Sequence, residues 1–282
     1  MVPTFRVLLP ARLALAALLA AGEARAQVTV RVSIDSAGLQ ANQFSQFPEL
    51  SADGRYVVFG SYATNLVAGD TNGVADVFVR DRVAGTTERV SVSSAGVQGN
   101  VNSLDSTSIS PDGRFVAFGS IASTLVAGDT NGGYDVFLRD RQLGTTERVS
   151  VQTGGAQALG GSLAGWTSAD GRHVAFRSSA DNLVAGDTNF SEDVFVRDRV
   201  LGVTERVNVG PGGLQANGST FERPTISADG RFVAFASSAS NLVPNDTNGR
   251  ADIFVRDRGP APILVLCSGD GAAAFPRDAR TA

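Results

Sequence analysis

Apolar and polar positions along this chain fall into short blocks that recur four times. Each block opens on a small, mixed segment such as "STSIS" (Ser106 to Ser110) or "RPTIS" (Arg223 to Ser227). An Asp-Gly pair follows, then an apolar run: "RYVVFGS", "RFVAFGS", "HVAFRSS" or "RFVAFAS". A second apolar run, "DVFVRD" or a near copy, comes later, and "TERVSV" or "TERVNV" ends the block. Val, Phe, Ile and Thr dominate, and the runs are too short for helices, so each block reads as four β-strands. Asp-Gly between two such runs is a hairpin signal, able to supply the positive φ that a type I′ turn requires.

The register is regular. The turn aspartates Asp53, Asp112, Asp170 and Asp229 stand 59, 58 and 59 residues apart. The step from each to Asp76, Asp135, Asp193 or Asp252, before the third strand, is always 23. "TERV" follows at Thr87, Thr146 and Thr204. Third strands such as Val77-Phe78-Val79 are apolar on successive residues, which requires cover on both faces. The expected architecture is therefore all-β: a β-propeller of tandem four-stranded blades, four in number, each burying its faces against its neighbours. A β-solenoid is the rival, but its coils are usually shorter and lack an Asp-Gly hairpin at one fixed place. "VTVRVSIDSAGLQAN" (Val28 to Asn42) matches the end of a block, "TERVSVSSAGVQGN" (Thr87 to Asn100). It offers a fourth strand to complete the last blade and seal both edges. "ILVLCS" (Ile263 to Ser268) competes for that slot.

Composition adds a leader and a charge. Residues 1–26 carry Arg6 and Arg12, an apolar stretch from Leu13 to Ala21, and Ala24-Arg25-Ala26. This is the pattern of a secretory signal peptide cleaved before Gln27. The expected organisation is a leader (1–26), a propeller (27–258) and a tail (259–282) that includes a last strand on one reading. Beyond the leader no segment is apolar enough to span a bilayer. The expected location is outside the cytoplasm, periplasmic or secreted. Without the leader the chain has 21 basic residues, all Arg, and 27 acidic ones. Net negative charge argues against nucleic acid as a partner. The one cysteine, Cys267, cannot form an internal disulfide.

The unit "SPDGRFVAFGS" (Ser110 to Ser120) followed by "YDVFLRDR" (Tyr134 to Arg141) resembles the TolB-type propeller repeat. The resemblance covers about residues 27–258 and implies a propeller scaffold. It does not imply one activity, because such propellers serve as scaffolds, transport partners and peptidase-associated domains. TolB-like propellers are usually six-bladed, whereas four units are legible here. TolB itself also carries an N-terminal α/β domain, so its role in the Tol–Pal system does not carry over.

Between second and third strands each block carries an acidic loop. The sets are Asp70, Asn72, Asp76; Asp129, Asn131, Asp135; Asp187, Asn189, Asp193; and Asp246, Asn248, Asp252. Alternating Asp and Asn oxygens suit Ca²⁺, and three side-chain ligands per loop imply weak binding, about 10⁻⁴ to 10⁻³ M. Turn chemistry is the other reading, since Asp and Asn cap turns through nearby backbone N–H groups. Arg80 and Asp81, with their counterparts, are expected to form ion pairs between blades.

The usual catalytic constellations are absent from the sequence. There is no G-x-S-x-G elbow and no phosphate loop, and one His with one Cys cannot build a histidine-rich or Cys₄ metal site. His173 stands where other blades have Tyr56, Phe115 and Phe232 and reads as a packing residue. The third unit is the least symmetric, with Trp166, His173, Phe190 and Glu192, and is where a unique ligand site is expected first. The functional expectation is an exported binding or structural module for a protein or envelope polymer, with calcium as its one candidate cofactor. The alternative is an extracellular hydrolase or lyase using carboxylates.

Overall fold

The computed structural model describes residues 28–259. The leader expected at 1–26 and the strand expected at 263–268 lie outside the described residues. The chain divides into two units, residues 1–31 and 32–282. Every described strand belongs to the second. No helix among the described residues is long and apolar enough to cross a membrane.

The strand pattern holds at every repeat. Blade one is β1 (Ser45–Leu50), β2 (Tyr56–Ser61), β3 (Asp76–Asp81) and β4 (Thr86–Arg89). Blade two is β5 (Asp105–Ile109), β6 (Phe115–Ser120), β7 (Asp135–Asp140) and β8 (Thr145–Arg148). Blade three is β9 (Ser162–Thr167), β10 (His173–Ser178), β11 (Asp193–Asp198) and β12 (Val203–Arg206). Blade four has β13 (Thr220–Ile226), β14 (Phe232–Ser237) and β15 (Asp252–Asp257). Each sheet is an antiparallel meander in chain order, four-stranded in three blades and three-stranded in the last. This is the all-β, four-bladed propeller architecture expected.

Packing explains why the third strands are continuously apolar. One face of each turns to the next blade, as Val136 and Leu138 meet Val174 and Phe176, while Phe137 joins the core with blade one. Cross-strand phenylalanines, such as Phe118 and Phe137 with ring centroids 5.8 Å apart, fill the middle of each sheet. The seam between blades uses the Asp-Gly turn. Gly113, Gly171 and Gly230 have φ of 77°, 68° and 75°. An added Cβ there would overlap the ring of Tyr56, Phe115 or His173 from the preceding blade. His173 thus takes the packing role of its counterparts.

Two local expectations need correction. The Asp-Gly pair is not a type I′ turn, because only the glycine has positive φ, and type I′ needs it at both central residues. Asp53 instead binds locally: its carboxylate accepts from Ser51 Oγ (2.6 Å) and Arg55 N–H (2.9 Å), which holds it in an ordinary conformation and leaves the reversal to Gly54. The second correction concerns the "RDR" run. Arg80 donates to the carbonyl of Asp35 (2.9 Å) and to Thr87 Oγ1 (3.1 Å), not to a carboxylate. Asp81 pairs within its own blade, with Arg55 at 2.7 Å. The ion pairs between blades come from the last arginine of the run, as Arg141 with Glu88, Arg199 with Glu147 and Arg258 with Glu205.

Among the described residues, the segment from Val32 to Asn42 does not pair with the last blade. Residues 32–42 form a hairpin, bridged at Ile34 and Gln40, that clips onto blade one. Thr87 Oγ1 donates to Ile34 O (2.6 Å), and Thr87 N–H donates to Ser36 Oγ (3.0 Å). The hairpins after β4 and β8 clip the next blade alike, through Thr146 and Thr204. Residues 32–42 therefore match the linker after a fourth strand. No fourth strand pairs with β15 among the described residues.

Candidate functional site

The four acidic loops are built alike, and their first business is turn chemistry. Asn72 Oδ1 accepts from Val74 N–H (3.3 Å), and Asn131, Asn189 and Asn248 repeat this two residues on. Each amide nitrogen then bonds the following carboxylate: Asn72 to Asp76 at 2.9 Å, Asn131 to Asp135 at 3.2 Å, Asn189 to Asp193 at 3.2 Å. In the first three blades the same nitrogen reaches the carbonyl of Gly99, Ala158 or Ala216 in the hairpin toward the next blade.

In those blades an arginine from the fourth strand lies between the two aspartates. Arg89 Nη1 is 3.1 Å from both Asp70 and Asp76. Arg148 stands 3.3 and 3.4 Å from Asp129 and Asp135, and Arg206 stands 3.1 Å from Asp187 and Asp193. Ser91, Ser150 or Asn208 donates to the other oxygen of Asp76, Asp135 or Asp193. Burial pushes the carboxyls of Asp70, Asp135 and Asp187 up, and the arginine charge counters it. The guanidinium therefore supplies the positive charge that an ion would bring. These arginines lie in the "TERV" runs, and a sequence signal for them existed. Each follows its third-strand aspartate by 13 residues, wherever "TERV" is present.

The fourth loop differs. Asn248 donates to both oxygens of Asp252 (3.1 and 2.9 Å). Among the described residues no arginine bridges Asp246 and Asp252. Both aspartates open onto a cavity of about 490 Å³ that Ile253 and Val255 of β15 also line.

The third unit does not assemble a site from its four singular residues. Glu192 pairs with Arg177 (3.2 Å), which lines a cavity of about 280 Å³ with Phe47, Ser106, Leu163, Glu222 and Arg223. Phe190 is exposed and holds φ of 52°, where the other loops place glycine. Trp166 is half-buried. His173 is buried at the seam, Nε2 lying 3.4 Å from Asp198.

Burial holds the His173 imidazole below its ordinary value, aided by Arg258 and Arg172 and opposed by Asp198 and Asp170. An unfolded chain takes up that proton near pH 6.5. Stability therefore falls as pH drops below about 6.5. The variant His173→Phe, which copies blade two, should lose this dependence. Urea titrations of both chains between pH 7.5 and 5 should show His173→Phe gaining on the wild type as pH falls. A constant difference would rule the effect out.

No family model matches the chain, and no curated protein matches it. Among solved structures it is similar to TolB from Acinetobacter baumannii, at 19% identity and a TM-score of 0.46, over 78% of this chain and 42% of that one. It is similar to a putative TolB from Agrobacterium tumefaciens, at 19% identity and a TM-score of 0.46, over 79% of this chain and 64% of that one. The tricorn protease is similar at 14% identity and a TM-score of 0.41, over 70% of this chain and 19% of that one. The chain thus spans 42% and 64% of the length of these two TolB structures.

Proposed function

We propose that the chain is an exported protein-binding module whose receptor is the open edge of blade four. One observation supports this reading above the others: β15 has no outer partner among the described residues, while its three counterparts each hold a strand of one pattern. That pattern is Thr-x-Arg-Val followed by Ser or Asn. Main-chain hydrogen bonds along such an edge supply affinity, and side-chain pockets supply specificity. Here the specific pocket is the carboxylate pair Asp246 and Asp252, open where Arg89, Arg148 and Arg206 sit in the other blades. A protein partner thus fits better than an envelope polymer, which has no backbone N–H ladder to offer.

The test is titration of the exported chain (residues 27–282) with a labelled peptide Thr-Thr-Glu-Arg-Val-Ser-Val, the sequence of residues 86–92. Saturable binding is expected, weakened at least about tenfold when the peptide arginine becomes glutamate. Equal binding of both peptides, or none, would overturn the reading.

Calcium is a second reading, favoured at the fourth loop alone. Asp246, Asn248 and Asp252 offer hard oxygens there without a competing guanidinium, and the affinity would be millimolar. Calorimetric titration should give one site per chain, abolished by Asp252→Asn. Four sites would show that calcium displaces the arginines, and no heat at millimolar calcium would dismiss the metal.

A further inference from the structure

We propose that the cavity shared by the four blades binds a free α-amino acid with an apolar side chain, its carboxylate held by Arg177, Arg223 and Ser106 and its ammonium group by Glu222. This site is separate from the strand receptor: none of its lining residues lines the cavity at β15.

Every blade contributes to this cavity of about 280 Å³: Phe47 from β1, Ser106 from β5, Leu163 and Arg177 from β9 and β10, and Glu222 and Arg223 from β13. Elsewhere the blades repeat the same contacts; here they do not. Arg177 stands where the equivalent ladder positions hold Gly60, Gly119 and Ala236. β13 sets three residues, Glu222 to Pro224, against Phe235, whereas β1 sets two, Phe47 and Pro48, against Phe59. One bulge thus supplies both Glu222 and Arg223 to the cavity. Such bulges re-aim side chains. Phe47, Ser106 and Glu222 each open their bulge with a positive φ, of 55°, 49° and 57°. Residues other than glycine avoid that region. Three blades therefore concentrate backbone strain on one cavity, as ligand sites do.

Ser106 points to a ligand. It is 4% exposed and lines the cavity, and its Oγ has no hydrogen-bond partner among the described residues. A buried hydroxyl left unpaired is costly, and a ligand oxygen would satisfy it. The two guanidiniums are positioned by other groups. Arg177 Nε lies 3.2 Å from Glu192 Oε2, and Arg223 Nη1 donates to the Thr107 carbonyl at 3.3 Å. Arg223 also faces Glu49 of blade one, whose carboxyl is pushed up by burial and held back by the arginine charge. A guanidinium has five N–H donors, so neither arginine is exhausted by these contacts, and both suit a carboxylate. Glu222 adds one negative charge at the same cavity, and Phe47 and Leu163 add an apolar wall. A simple anion would meet Glu222 as a like charge, whereas a zwitterion uses both signs. The volume lies just below the ~300–1,000 Å³ of drug-sized pockets, which suits one amino acid rather than a peptide.

The experiment is calorimetric titration of the exported chain (residues 27–282) with three probes. They are L-leucine, 4-methylpentanoate, which lacks the ammonium group, and L-leucinamide, which lacks the carboxylate. L-leucine should bind saturably, and each analogue at least about tenfold more weakly. Arg177→Ala, which copies blade four, should weaken L-leucine at least about tenfold, and Ser106→Ala about fivefold. Thermal melts check that each variant folds. Glu222→Gln changes an exposed side chain and should erase the difference between L-leucine and 4-methylpentanoate, which a damaged fold would not do. No heat with L-leucine at millimolar concentration would overturn the inference. So would equal binding of L-leucine and its amide, full binding by Arg177→Ala, or a difference that survives Glu222→Gln.

Discussion

Replacing Arg148 with methionine is expected to cost about 3–5 kcal/mol, because it strands two buried carboxylates. The Arg148 side chain is 10% exposed, and those of Asp129 and Asp135 are 4% and 0% exposed. A surface pair would be worth little, but here neither aspartate can turn to water. Burial already pushes the Asp135 carboxyl up, and Arg148 is one of the groups holding it down. Without the arginine, Asp135 moves further toward the protonated form. A carboxyl raised in the folded state favours folding below its unfolded value near 3.9 and loses that benefit as pH rises. The deficit of Arg148→Met should therefore be largest at neutral pH and shrink toward pH 4. In thermal melts at pH 7 the loss corresponds to a drop on the order of 10 °C. Adding Asp135→Asn should recover part of it, since the two changes share one network. A loss under about 1 kcal/mol would mean that the seam admits water.

Phe176→Ala should cost a similar amount, about 3–5 kcal/mol, through a cavity that the seam between blades two and three cannot collapse. Phe176 is fully buried, meets Ala117 and Val136 of blade two, and stacks on Phe195 with centroids 5.7 Å apart. The same cross-strand pair recurs in the last blade, with Phe235 and Phe254 at 5.8 Å. Phe254 is only half-buried there, and no fourth strand among the described residues stands beside it. Phe254→Ala should cost about 1–2 kcal/mol, as partial burial of one aromatic side chain implies. Denaturant titration of both variants in dilute protein makes the comparison. Equal losses would show that blade four is already covered in solution. A difference that disappears at high protein concentration would follow if copies cover one another.

Much of the fold was legible in the chain itself. The fixed step from Asp53 to Asp76 placed β3, and the same step placed β7, β11 and β15, because turn residues and apolar runs act over a few neighbours. The Asp-Gly pair marked the right corner, although with the wrong turn type. There the carboxylate of Asp53 found a local hydroxyl and N–H, a competition that periodicity does not describe. His173 was correctly placed as a packing residue from its register alone. The acidic loops are legible in the sequence only in part. Asp70, Asn72 and Asp76 do lie together, yet Arg89 comes to them from the fourth strand. Its approach depends on β4 pairing with β3, a contact no loop motif encodes.

The division follows the range of the forces. Repeat length, strand order and the Asx turns are written in neighbouring residues, where backbone sterics and short hydrogen bonds act. Which guanidinium neutralises which carboxylates, and which edge has no partner among the described residues, depends on segments brought together across a sheet. Arg80 shows the difference. Next to Asp81 in the chain it looks like half of an ion pair, but adjacent β-residues point to opposite faces of a sheet. Its charge is therefore delivered to Asp35 O in the hairpin that clips blade one, and the aspartate beside it turns to Arg55.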